Sequence, residues 1–123
     1  MGHYIANLRD IEFCLFDLLG REKVMGTSLY ADVDRDTAMG MLEEVKRMCE
    51  NDLAASFVEG DRVGATLNKE TGNVTLPESF KKSYKAYIDG EWWRVDAPVE
   101  LGGMKIPPSV RWAIAEMVLG SNP

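Results

Sequence analysis

Apolar positions recur along this chain with the period of a helix in four places. Leu8, Ile11, Leu15 and Leu18 fall on one face of a helix over Asn7 to Leu19, with Phe16 and Leu19 widening it and Gly20 ending it. Leu42, Val45, Cys49, Leu53 and Phe57 make a longer stripe over Asp36 to Phe57, flanked by Met41 and Met48. Glu43 and Arg47 on its polar side stand four residues apart in the favourable order. Phe80, Tyr84, Tyr87 and Ile88 share a face over Pro77 to Asp89, and Lys81, Lys82 and Lys85 lie elsewhere, as a solvated face. The fourth stretch runs from Pro107-Pro108-Ser109 to Leu119. Between the second and third helices, the turn-rich crossing Glu59 to Leu76 holds Asn68 to Asn73 between two short β-prone runs, a hairpin-like excursion. Val24 to Val33 has no period and reads as loop. The pattern predicts an all-α bundle of about four main helices with one short hairpin.

The last helix differs from the others. Val110, Ala113, Ile114 and Met117 make one apolar side, Trp112, Ala115 and Leu119 make another, and only Arg111 and Glu116 are charged. A helix apolar nearly all round requires cover nearly all round. Three other helices cover one side; the pattern therefore predicts a neighbour outside this stretch of chain. The turn before it, Pro98-Val99-Glu100-Leu101-Gly102-Gly103, is shaped by a φ-restricting proline and two glycines free to take positive φ, with Glu100 expected to order it.

Length and composition narrow the class. With 123 residues, 46% hydrophobic and 28% charged, the chain reads as one ordinary globular domain. A formal charge of −6 argues against binding nucleic-acid phosphates or an anionic membrane surface. No run approaches the roughly 20 apolar residues of a spanning helix, and Arg9, Asp10 and Glu12 interrupt any signal-peptide core. Cys14 and Cys49 both lie in apolar helical patterns, so both are expected as buried free thiols in a reducing cytoplasm.

No catalytic constellation and no metal site is expected. His3 stands near a terminus without ligand-spaced neighbours, where a frayed end is the expectation. Asp32, Asp34, Asp36 and Glu43 imitate four positions of a calcium loop, but Thr37 replaces the glycine of its sharp turn and helix follows at once. Asp34 or Asp36 as a helix cap accounts for the same residues.

The ordered set Tyr84, Tyr87, Gly90, Trp92, Pro98, Glu100, Gly102, Gly103 and Glu116 resembles the N-terminal helical domain of acyl-CoA dehydrogenases. Tyr4 to Phe13 resembles the extra N-terminal segment of their longer bacterial members. The resemblance implies an extension over residues 1–35 and a helical domain over 36–123, with a flavin-binding β domain and a C-terminal domain lying beyond. It implies FAD, an acyl-CoA substrate, electron-transferring flavoprotein as electron acceptor, and a homo-oligomer. In that family a glutamate removes the α proton while a hydride passes from the β carbon to FAD. That glutamate has no counterpart here, so no catalytic and no cofactor-binding residue is assigned, and the segment alone is expected to be inactive. Its implied contribution is a wall of the acyl pocket, with Trp92, Trp93, Leu101, Gly102, Gly103, Met104, Glu116 and Met117 as candidates. The rival reading is a free-standing helical module that binds a protein through its last helix. A calcium titration is expected to give neither heat nor a shift in melting temperature; either response would restore the calcium loop.

Overall fold

The elements follow one another in the computed structural model, which describes residues 2–123, in an order that gives the expected all-α bundle with one hairpin. Helix α1 (Leu8–Glu12) is capped by Asn7, whose side chain accepts from the Asp10 amide and donates to the Asp10 carboxylate at 2.6 Å. It passes directly into a π-helical segment, Phe13–Leu18, and Gly20 turns the chain with φ at +56°. The wider π turn carries later positions off the 3.6-residue rhythm. Ile11, Leu15 and Phe16 are therefore buried, while Leu18 and Leu19, expected on the same face, are exposed. The same slip turns Cys14 outward, correcting the expectation that both thiols are buried. Residues 24–33 are not plain loop: 3-10 turns Arg21–Lys23 and Ser28–Tyr30 fold them back so that Met25 and Val33 reach the core.

Helix α2 (Arg35–Met48) starts at Asp34, which accepts from the Thr37 amide at 2.8 Å. That bond draws the Asp34 carboxyl below its usual range. The cap also removes the geometry a calcium loop needs, and no metal-holding group of acidic, His or Cys side chains exists among the described residues. A π turn, Cys49–Leu53, joins α2 to α3 (Ala54–Val63), so the rod runs past Phe57, where the sequence suggested its end. Gly60 lies inside it because the helix needs a notch there: a Cβ would stand 2.2 Å from the Phe80 ring. On the polar side Arg47 pairs with Glu44 at 2.9 Å rather than with Glu43. His3 does not fray; its ring stacks on Phe57 with centroids 4.2 Å apart.

Strands β1 (Thr66–Leu67) and β2 (Val74–Thr75) pair antiparallel, Thr66 with Thr75 and Leu67 with Val74. Asn68 closes the loop by accepting from the Glu70 and Thr71 amides. Helix α4 (Glu78–Asp89) begins just after Pro77, with Lys81 and Lys85 paired locally to Glu78 and Asp89. Tyr84, expected on the packed face, is 69% exposed. Besides the Phe80 ring at the Gly60 notch, a polar node joins α4 to the rod: Ser83 Oγ lies 2.8 Å from both the Asp52 carbonyl oxygen and Ser56 Oγ, and Asn122 donates to Ser56 Oγ at 2.6 Å. Buried hydroxyls need such partners, and the node ties three helices together at one point.

Helix α5 (Pro108–Ser121) completes the bundle. Val110, Ala113, Ile114 and Met117 join Leu42, Val45 and Cys49 of the rod and Ile11, Leu15 and Phe16 of the first helix in one core. Burial drives the Cys49 thiol up to about 11, because the thiolate would be desolvated there. A pKa raised by folding stabilises the native state below the ordinary thiol range and loses that contribution as pH rises through the folded value. Stability should therefore fall between pH 9 and about 11, and less steeply in Cys49→Ala. At pH 8 an aromatic disulfide reagent should modify one thiol, Cys14, and a second after denaturation; two fast thiols in the native protein would contradict this packing.

Candidate functional site

The turn before α5 is built from backbone bonds and one arginine. After α4, Glu91 adopts a left-handed φ of +56°, unusual for a side-chain-bearing residue, and starts the 3-10 turn Trp92–Val95. Pro98 is extended, Val99–Leu101 forms a second 3-10 turn, and Gly102 follows at φ +86°. The Leu101 and Gly103 amides both donate to the Pro98 carbonyl, at 2.9 and 3.0 Å. The two glycines serve different needs. Gly102 supplies the positive φ; Gly103 has an ordinary one, but a Cβ there would fall 1.7 Å from the Ala97 carbonyl oxygen.

Arg94, which the sequence pattern did not single out, holds this turn. Its Nε donates to the Gly102 carbonyl at 2.8 Å, its Nη1 to Glu91 at 2.8 Å, and its own carbonyl accepts from the Met104 amide at 2.8 Å. Glu100, expected to do this ordering, is exposed and makes no hydrogen bond among the described residues. Asp96 pairs with Arg111 and so fastens the turn to the first turn of α5. The spacing of Glu91 and Arg94 was a readable signal for one bond; nothing in the sequence marks a contact from Arg94 to a carbonyl eight residues on.

The eight candidate residues separate into four places. Trp93, Leu101, Gly102, Gly103 and Met104 belong to the turn; Leu101 is 71% exposed, and the far edge of the Trp93 ring comes near Gly102. Beside them a cleft of about 310 Å³ is lined by Leu29, Tyr30, Pro98, Val99, Met104 and Ile106. Trp92 turns the other way, into a cleft of about 610 Å³ with Met41, Met48 and Gly90. Met117 is wholly buried in the core, and Glu116 is on the outer face of α5. On that face Trp112 and Leu119 are 65% and 59% exposed, whereas Ile114 and Met117 are sealed. Part of the apolar surface of α5, at Trp112 and Leu119, is thus left uncovered by the described residues, as its pattern predicts.

The chemistry of the turn is that of a wall. Trp93, Leu101 and Met104 offer apolar surface; the Arg94 guanidinium is committed to the backbone and to Glu91, and that of Arg111 to Asp96, while Glu100 and Lys105 also line the cleft. The apolar part of this surface suits an aliphatic chain or the face of a planar ring.

No family model matches the chain. Comparison with individual proteins nevertheless finds it similar, over most or all of its length, to a segment of two acyl-CoA dehydrogenases. It is 48% identical over 123 residues to a broad-specificity linear acyl-CoA dehydrogenase of Mycobacterium tuberculosis, all of this chain and 20% of that protein. It is 36% identical over 115 residues to a 3-methylmercaptopropionyl-CoA dehydrogenase of Ruegeria pomeroyi, 94% of this chain and 19% of that protein. The chain therefore spans about a fifth of the length of these relatives.

Two glycine substitutions separate turn from helix. Gly103→Ala should cost about 2–4 kcal/mol, since the Ala97 carbonyl must move. Gly40→Ala, at an exposed site inside α2 with nothing within 4 Å, should stabilise by about 0.5–1 kcal/mol. Thermal melts of the two variants check this; equal melting temperatures would mean that the turn is not close-packed.

Proposed function

We propose that this chain is the N-terminal helical part of an FAD-dependent acyl-CoA dehydrogenase and forms one wall of its acyl and flavin pocket. The observation that carries the reading is 48% identity over the full span to an acyl-CoA dehydrogenase. The structure supports it through an apolar, Arg94-braced turn and an α5 whose outer face is uncovered. Within the complete enzyme the residues that would line the pocket are Trp93, Leu101, Gly102, Gly103 and Met104 at the turn. Trp92, Glu116 and Met117 act behind or beside it, Met117 by packing. Residues 1–35 are the extension of the longer members, and 36–123 the domain proper.

FAD, when bound in the full enzyme, supplies the hydride acceptor. This chain's own residues exclude water and position the thioester's acyl chain by apolar contact. The catalytic base, the electron-transferring flavoprotein that takes the electrons, and assembly into an oligomer belong to the whole enzyme, whose place is the cytoplasm. No helix among the described residues is long and apolar enough to cross a membrane. The reading as a free-standing interaction module is not favoured, since the match to a dehydrogenase covers the whole chain at 48% identity.

In an acyl-CoA-dependent dye-reduction assay the 123-residue chain should give no turnover with or without added FAD. The longer native polypeptide containing it should be active. Replacing Leu101 or Met104 there by Ala should raise KM for long acyl chains by roughly three- to tenfold, about 1 kcal/mol per lost contact. Turnover by the 123-residue chain, or an inactive native polypeptide, would overturn the assignment.

A further inference from the structure

Between the first helical segment and α5 runs a groove of about 370 Å³. Its floor is apolar: Ile11, Leu15 and Ala113, with Leu19 and Trp112 standing exposed at the sides. One carboxylate stands on each wall, Asp10 on α1 and Glu116 on α5, and both line the groove. Neither has a cationic partner among the described residues; Asp10 bonds only to Asn7. At the start of α5, Ser109 also lines the groove, and its hydroxyl is buried without a partner among the described residues.

Any apolar element that covers Trp112 and Leu19 also takes the two carboxylates out of water. That is strongly unfavourable unless the covering element brings charge to meet them. We infer that this groove seats a helix with one apolar side bearing a lysine or arginine, supplied by the remainder of the same polypeptide, with the cation placed between Asp10 and Glu116. The inference rests on the dehydrogenase reading for its source, since the relatives are about five times as long as this segment. Being intramolecular, the contact needs little affinity of its own, because the effective concentration is high. The charge requirement makes it selective: an acidic amphipathic helix of the same shape is rejected.

Cys14 is exposed and lines the groove, whereas Cys49 is buried, so alkylation of Cys14 reports on occupancy. Two arms test the proposal. In the first, the 123-residue chain is titrated with an 18-residue Leu/Lys amphipathic helix peptide or its Leu/Glu counterpart. The Leu/Lys peptide should slow alkylation at least fivefold and the Leu/Glu peptide less than twofold. Glu116→Gln should remove at least half of the protection, and Glu59→Gln, exposed on α3, none of it. Equal protection by both peptides, or an equal effect of Glu59→Gln, overturns the charge-matched groove.

In the second arm, Cys14 in the native full-length polypeptide should react at least tenfold more slowly than in the 123-residue chain, and Glu116→Lys should restore the rate. Equal rates overturn the same-polypeptide source. An active dehydrogenase with a freely reactive Cys14 would defeat this inference alone; an inactive polypeptide with a protected Cys14 would defeat the enzyme reading alone.

Discussion

The packing of α5 against the rod formed by α2, the Cys49–Leu53 π turn and α3 is the constraint on which the rest depends. Val110 and Met117 of α5 and Leu42, Val45 and Cys49 of the rod are all essentially sealed from water. Each such side chain contributes about 1.5–3 kcal/mol by burial alone. The first helix joins this core through Ile11, Leu15 and Phe16, and the turn before α5 is fixed because α5 is fixed, through Arg111 and Asp96. A helix with apolar residues on two sides has only one of them satisfied by this arrangement. The uncovered stripe of Trp112 and Leu119, with Glu116 between them, follows directly.

Much of this was legible in the sequence, because helical periodicity reports burial. The four helical stretches, the hairpin, the shaped glycine turn and the two-sided character of α5 were all readable from spacing. What escaped had physical causes. The π segments break the 3.6-residue rhythm, so Leu18, Leu19 and Cys14 were assigned to the wrong side. Gly60 fell inside the stretch read as a turn-rich crossing, but it is a notch for Phe80, and a glycine packed inside a helix looks the same in sequence as one that ends it. The Ser56, Ser83 and Asn122 node joins residues up to 66 apart, and small polar residues carry no periodic signal.

The candidate site was partly legible. Turn residues Trp93 to Met104 do come together, but Trp92, although adjacent to Trp93, turns into a different cleft, because a 3-10 turn sends neighbours in different directions. Met117 is core for the same reason that α5 is stable. Arg94 could not be ranked above the other surface arginines from the sequence, since its role lies in reaching the Gly102 carbonyl across a turn whose shape is not written in any one residue.

Uncovered apolar surface, a braced apolar turn and 48% identity to one fifth of a dehydrogenase all fit the proposal made above, that this chain is a packed part of a larger enzyme. The mass of the native polypeptide that carries this segment tests that most directly. An antibody against the segment should detect a chain roughly five times the 13.8 kDa of these residues, as expected from a segment covering 20% of its relative. A stable native species of 13.8 kDa, monomeric and with Trp112 fully quenchable by solvent, would contradict the account.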